Sequence, residues 1–185
     1  RYTLHVLNAP AGTIPTREGV TAETAFVGPG MRTHPDLHYI PCRLSMVPVL
    51  MRRVSPPDVV VLHCAPPRDG QLSLGVEVNI LPGAIEGCRS RSGRVVAVIN
   101  DRMPYTYGDA QVPVSDVDLA VEVSEPLGTH EPRALDDASR TIGEMVVSRV
   151  GDGATLQMGI GEIPDTTLES LTNRRDLRIW TEMFS

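Results

Sequence analysis

Lysine is absent from these 185 residues; all 17 basic side chains are arginine. A Schiff-base lysine, a pyridoxal-phosphate lysine and the lysine of a P-loop are therefore excluded within this chain. Cysteine is scarce and scattered. Cys42, Cys64 and Cys88 are odd in number and form no CxxC pair, which suggests neither a zinc site nor a disulfide framework and fits a reducing, cytoplasmic setting. No apolar run approaches the roughly 18 residues of a membrane span, and the opening residues have no signal-peptide pattern. No serine lies in a GxSxG elbow, so a serine-hydrolase triad has no anchor. With a net charge of −6 the chain offers no field to attract nucleic acid or an anionic membrane.

What is present is enough apolar residue, 41%, for one sizeable core or two small domains. Residues 58–64 form a continuous β-branched run, as in a strand covered on both faces, and the Pro- and Gly-containing stretch 65–70 breaks it. A helix is predicted from Asn79 as N-cap, with Pro82 in its first turn and Ile85 and Cys88 facing inward. Residues 94–100 are a second buried strand, completing one strand–helix–strand unit of a parallel sheet. Another strand is expected over 117–123. From 131 to 150, Leu135, Ala138, Ile142, Met145 and Val146 recur at three- and four-residue spacing, the inward face of an amphipathic helix. A strand over 154–158, a glycine turn, a short helix over 165–172 and a strand over 177–182 follow, and residues 2–7 read as an opening strand. The fold class is α/β, an open, mostly parallel sheet with flanking helices, and the half-built last layer suggests a chain truncated at both ends.

Two places invite chemistry. Gly159 and Gly161 flank Ile160 directly after an expected strand, and Pro164 suits the first position of the next helix. Backbone N–H groups in such a turn, aided by the helix dipole, can hold a phosphate, a carboxylate or a developing oxyanion. The simpler reading of the spacing is a tight strand-to-helix turn, and Glu162 within it disfavours an anion unless its side chain points away. Glu182 ends the last strand. Ligands of open parallel sheets bind outside the carboxyl ends of strands, so the turn and Glu182 are expected at one crevice. A carboxylate facing amide donors there suits attack on an activated carbonyl, although a solvated strand-end acid has the same signature.

The loop carrying Tyr105, Thr106, Tyr107, Gly108 and Asp109 holds half of the four tyrosines. It fits a substrate-binding loop as well as one whose side chains satisfy its own backbone. His34 and His38 are four apart, but Pro35 between them points to a surface loop rather than a metal site, and no metal is expected. His63 reads as a satisfied core histidine. A nucleotide-binding module using Gly159 and Gly161 for a pyrophosphate is an alternative, but it lacks a third glycine, and Asp176 comes only about fifteen residues on, short of the usual ribose-binding acid.

Four blocks resemble the acetyl-CoA hydrolase/transferase family, which includes 4-hydroxybutyrate and acetate CoA-transferases. Ala65-Pro66-Pro67-Arg68-Asp69-Gly70-Gln71-Leu72-Ser73-Leu74-Gly75 resembles its SPPDxxGxxSLG stretch, and Asn100-Asp101-Arg102-Met103-Pro104-Tyr105-Thr106-Tyr107-Gly108-Asp109 its NxxMPxTxGD. Asp152-Gly153-Ala154-Thr155-Leu156-Gln157-Met158-Gly159-Ile160-Gly161-Glu162-Ile163-Pro164-Asp165 is similar to DGATLQxGIGxIPD. Asp176-Leu177-Arg178-Ile179-Trp180-Thr181-Glu182-Met183-Phe184-Ser185 resembles DLGIHTEMFS.

The resemblance implies that Glu182 is the nucleophile and that Gly159, Ile160, Gly161, Glu162 and Ile163, with Gln157, form a loop that contacts CoA or stabilises an oxyanion. It implies a ping-pong transfer of coenzyme A, the co-substrate, between an acyl-CoA and a small carboxylic acid through a glutamyl-CoA thioester, without a metal. Water in place of the acceptor would make a hydrolase; a non-catalytic partner subunit is the further alternative. Family members are over twice this length and have two similar α/β domains, and homo-oligomers are plausible by the same resemblance. It thus divides the chain into a first domain over 1–128 lacking its initial strand, a connecting helix over 129–150, and the start of a second domain over 151–185, inactive without the missing C-terminal part. Three residues depart from the family pattern: Trp180 stands where histidine is common, Arg178 where glycine is, and Glu162 at a usually small position.

Overall fold

The computed structural model describes residues 1–10, 12–129 and 136–181. They fall into two compact units, Arg1–Leu127 and Gly128–Ser185. Leu135 and Glu182 lie outside the described residues.

The first unit opens with a three-stranded parallel sheet, β1 (Tyr2–His5), β2 (Val20–Thr24) and β3 (Leu37–Tyr39), in that order. In-register neighbours share a face. Leu4, Ala22 and Leu37 thus line one side, and Ala22 and Leu37 join a small core with Ala9, Ile14 and Met31. The other side is polar: His5 Nδ1 lies 3.1 Å from Glu23 Oε1, and Thr21 Oγ1 donates to Asp36 Oδ2 at 2.7 Å. His34, expected on the surface, is buried. Its Nε2 contacts the Pro15 carbonyl at 3.1 Å while Nδ1 accepts from the Asp36 N–H at 3.2 Å, so both ring nitrogens are used in tying the loop down. Among the described residues, no group of three potential ligands could hold a metal ion.

The main sheet has the order β7-β5-β4-β6-β8. Its strands are β4 (Val59–Arg68), β5 (Gln71–Ser73), β6 (Arg94–Asn100), β7 (Gln111–Pro113) and β8 (Leu119–Val123). β4, β6 and β8 run parallel, whereas β5 and β7 add an antiparallel arm. The expected break at 65–70 is therefore a hairpin. The strand continues through Pro66 and Pro67, which fall where the register with β5 shifts, and Asp69 (φ 50°) with Gly70 (φ 75°) forms a two-residue left-handed turn.

A short helical segment precedes the sheet: a 3-10 turn over Leu44–Met46, α1 (Val47–Val49) and a π turn over Leu50–Val54 closed by Ser55 N–H to Leu50 O. With α2 (Leu81–Ser90) it covers one face of the sheet, burying Val47, Met51, Ala84, Ile85 and Cys88 against Val60, Leu62 and Val95. α2 has Ile80 at its N-cap, not Asn79, whose Oδ1 instead accepts from the Ile80 N–H. Gly87 sets the helix spacing, because an added Cβ would lie 2.2 Å from the Met51 carbonyl oxygen. Contrary to the expectation for 58–64, only one face of β4 is covered: Val59 and Val61 are exposed, as are Leu119 and Val121 on β8. The β6-to-β8 connection passes through a loop, β7 and two single 3-10 turns (Gly108–Ala110 and Val114–Asp116) rather than an α-helix, so it supplies no second helical layer to this unit.

The second unit contains α3 (Asp137–Val147), β9 (Thr155–Leu156), α4 (Glu162–Glu169) and β10 (Arg178–Ile179). β9 and β10 are parallel neighbours. Asp136 caps α3, accepting from the Ser139 N–H at 2.7 Å, a bond that holds its carboxyl below the usual range. The predicted apolar face of this helix is not its buried one. Ile142, Met145 and Val146 are exposed, whereas Ser139 and Gly143 are buried. The small residues let α3 approach α4 closely; a Cβ on Gly143 would stand 2.8 Å from Thr166 Cγ2. Among the described residues no helix is long and apolar enough to cross a membrane.

Candidate functional site

The glycine turn lies between β9 and α4 in the second unit. Gly161 is the N-cap of α4 with φ 113° and ψ −176°, a conformation open essentially to glycine alone. It orients the first turn of the helix, where Pro164 fits because it gives up only an N–H that has no intrahelical acceptor. The helix starts at Glu162, three residues before the expected 165. Among the described residues, the amides of Gly159, Ile160, Gly161, Glu162 and Ile163 donate to no acceptor. The Cβ positions of Gly159 and Gly161 face open space. Five consecutive free donors at a helix N-terminus make a site for negative charge.

Glu162 does not fill that site. Its Oε1 accepts from Ser139 Oγ at 3.0 Å, which turns the carboxylate toward α3. Gln157 is exposed, and its Nε2 donates to the neighbouring Met158 carbonyl at 3.2 Å.

The strand that leads to Glu182 runs beside the one that leads to the turn. The Trp180 N–H donates to Leu156 O at 2.8 Å, extending the β9–β10 ladder, and Thr181 Oγ1 donates to Met158 O at 2.6 Å. Residue 181 is thereby held against the residue that precedes Gly159. Arg178, at the other end of β10, donates through Nη2 to Gly153 O at 3.0 Å.

In the first unit, the loop after β6 spends much of its polar capacity on itself. Ser73 Oγ accepts from the Thr106 N–H at 2.9 Å and the Gly75 N–H at 3.1 Å and donates to Thr106 O at 2.8 Å; Thr106 Oγ1 donates to Gly75 O at 2.8 Å. The Tyr105 hydroxyl donates to Gln71 O at 3.3 Å, and its ring lies beneath the Arg68 guanidinium at 4.5 Å and edge-on to Tyr107 at 5.1 Å. Gly108 and Asp109 are exposed; Asp109 borders an open cleft with Pro82, Arg89 and Asp116. The Arg89 guanidinium there is held by Asp118 and the Asp116 carbonyl. The hub of this loop is Ser73, whose partner Thr106 comes from 33 residues away, a pairing no local pattern announces.

Asn100 is a second hub, fully buried at the carboxyl end of β6. Its Oδ1 accepts from the Arg102 and Glu125 N–H groups, each at 3.1 Å, and its Nδ2 donates to Glu125 O at 2.8 Å. The remaining Nδ2 proton goes to His63 Nε2 at 3.0 Å, which makes that nitrogen an acceptor and places the imidazole proton on Nδ1. His63, expected in the core, is instead half-buried on the uncovered face of β4 with Val59 and Val61, and its partner is Asn100. Cys64 beside it is buried, which pushes its thiol up to about 11.

Residues 23–127 match the acetyl-CoA hydrolase/transferase N-terminal domain. The chain belongs to this family. Within the family, it is 40% identical over 149 residues to the 4-hydroxybutyrate coenzyme A transferase of Clostridium kluyveri, covering 80% of this chain and 34% of that protein. It is 38% identical over 150 residues to a succinyl-CoA:acetate/propanoyl-CoA:succinate CoA transferase of Fasciola hepatica, covering 80% and 30%. A 4-hydroxybutyrate CoA-transferase from Porphyromonas gingivalis superposes with a TM-score of 0.71 at 33% identity, over 89% of this chain and 43% of that one. RipA from Yersinia pestis superposes with a TM-score of 0.78 at 26% identity, over 89% and 40%. The chain spans about a third of the length of the curated relatives it matches. The mixed α/β architecture with a mostly parallel sheet is shared with this CoA-transferase and with RipA.

Proposed function

We propose that the protein carrying this chain is an acyl-CoA:carboxylate CoA-transferase with Glu182 as its nucleophile. The observation that carries this reading is the run of five acceptor-free amides from Gly159 to Ile163, beside the strand whose sequence continues to Glu182. In the first half-reaction the Glu182 carboxylate attacks the thioester carbonyl, the C–S bond breaks, and a mixed anhydride and CoA thiolate form. The thiolate then attacks the glutamyl carbonyl, the anhydride C–O bond breaks, and the donor acid leaves behind a glutamyl-CoA thioester. An acceptor carboxylate runs the same steps in reverse. Each tetrahedral intermediate places a negative oxygen where the amides of the turn can receive it. Gln157, at the mouth of the turn, is the neighbouring side chain able to contact CoA, while Tyr105, Thr106, Gly108 and Asp109 belong to a separate loop, whose exposed Gly108–Asp109 end is its part open to substrate.

The relatives named above are transferases, which favours a carboxylate over water as acceptor. Because the chain spans about a third of their length, we expect no turnover from the isolated 185 residues.

The test is peptide mass spectrometry of the complete protein incubated with acetyl-CoA. A CoA-sized adduct on the Glu182 peptide, removed by acetate and absent in Glu182→Gln, is the expected result. Steady consumption of acetyl-CoA without an adduct or acceptor identifies a hydrolase. Neither adduct nor consumption with acetyl-CoA or longer acyl-CoAs overturns the reading.

A further inference from the structure

Trp180 is the one tryptophan of the chain, and it is 76% exposed. It is not a loose surface residue: its N–H is fixed on Leu156 O at 2.8 Å, and the next residue is fixed on Met158 O at 2.6 Å. The indole is therefore presented from a paired strand beside the segment that enters the glycine turn. Ile160, within the turn, is also exposed, at 55%. Two large apolar side chains, one within the turn and one on the strand paired with the segment that enters it, are thus open to solvent, whereas an anion site alone needs only the donors.

We propose that Trp180 is a specificity-determining residue: its indole is the apolar wall of the acyl subsite and selects acyl-CoAs with a plain hydrocarbon acyl group over those bearing a terminal hydroxyl or a second carboxylate. This rests on the CoA-transferase reading above. The amides answer the thioester oxygen, which every acyl-CoA has, so they cannot discriminate among acyl groups. Discrimination falls to whatever meets the rest of the acyl chain. A hydrocarbon chain laid on the indole buries apolar area on both sides. A terminal hydroxyl or carboxylate pressed there loses water and gains no partner. Arg178, two residues back along the strand, spends one N–H of its guanidinium on the Gly153 carbonyl. An apolar wall rejects an added hydroxyl by about 10- to 100-fold, and a charged group by more.

The experiment compares kcat/KM of the complete protein for butyryl-CoA, 4-hydroxybutyryl-CoA and succinyl-CoA, with acetate as acceptor, in wild type, Trp180→Phe and Trp180→His. The wild type is expected to favour butyryl-CoA over 4-hydroxybutyryl-CoA by about tenfold or more, and over succinyl-CoA by a larger factor. Trp180→Phe keeps the preference because it keeps an apolar ring. Trp180→His reduces it at least about fivefold, mainly through improved use of the polar substrates. An unchanged ratio in Trp180→His overturns the proposal, as does a loss of equal factor for all three substrates, or a wild type that prefers a polar acyl group. If Trp180→His does not fold, the wild-type order and the Trp180→Phe ratio decide on the same criteria. A wild type without turnover or Glu182 adduct on any acyl-CoA refutes the transferase reading itself, and is distinguished from these outcomes by the absence of any rate to compare.

Discussion

Ser139 on α3 donates its hydroxyl to the carboxylate of Glu162, the first residue of α4, at 3.0 Å. A negative side chain at the start of this helix is thereby drawn toward the neighbouring helix, and the free amides from Gly159 to Ile163 keep their attraction for negative charge. Ser139→Ala removes that restraint. It is expected to destabilise the second unit by about 0.5–1.5 kcal/mol, the worth of one such hydrogen bond, and to raise the KM for acyl-CoA by leaving Glu162 free to swing toward the amides. Denaturant titration and steady-state kinetics of the complete protein check the two effects. An unchanged KM would mean that Glu162 never competes for the turn.

Gly161 and Gly159 differ in a way that a pair of substitutions separates. A Cβ at either position meets open space, so sterics with neighbours are equal. Only Gly161 has a positive φ, 113°. Gly161→Ala is expected to cost about 1–3 kcal/mol in backbone strain, or to shift the turn and lower kcat by about 100-fold through misaligned amides. Gly159→Ala should alter stability by no more than about 0.5 kcal/mol. Equal unfolding midpoints for the two variants would contradict the role given to Gly161.

At Gly87 the constraint is contact rather than conformation. The Cβ of an alanine there would lie 2.2 Å from Met51 O, a backbone atom that cannot rotate away. Gly87→Ala should therefore destabilise the first unit by about 1–3 kcal/mol or more, despite alanine's better helix propensity. A stabilised variant in thermal or denaturant unfolding would show that α2 can move off the preceding helical segment.

Asp118 gives the first unit a signed dependence on pH. The Val95 N–H, donating at 2.8 Å, together with Arg94 at 3.0 Å and Arg89 at 2.8 Å, holds its carboxyl below the ordinary value of 3.8. A carboxyl depressed on folding contributes stability that is complete above its unfolded pKa and is lost as pH falls through its folded pKa. Asp118→Asn is expected to lower the unfolding midpoint at pH 7 and to have a progressively smaller effect as pH falls below about 4. A variant penalty that persisted undiminished at pH 2 would assign the stabilisation to packing instead.

The parallel strands were legible because β-branched residues in 58–64 and 94–100 state strands locally, though not that one face of β4 stays open, and the structure pairs Val59 with Arg94 through Cys64 with Ile99. β5 and β7 were not, since three-residue strands gain their stability from partners rather than from propensity. The face of α3 was misjudged for a related reason. Periodicity counts large apolar residues, whereas the contact with α4 is made by Ser139 and Gly143, residues selected for what they leave out. In the site, glycine spacing announced the turn, because left-handed backbone geometry has a residue signature. The Ser139–Glu162 bond and the Ser73–Thr106 staple had none, being hydroxyls that find their partners only after the chain has folded.

The single oxygen of Asn100 accepts both the Arg102 and the Glu125 amide protons, 23 residues apart. Replacing Asn100 therefore takes the acceptor at once from loops that follow different strands, and both amides should exchange faster with deuterated solvent in such a variant.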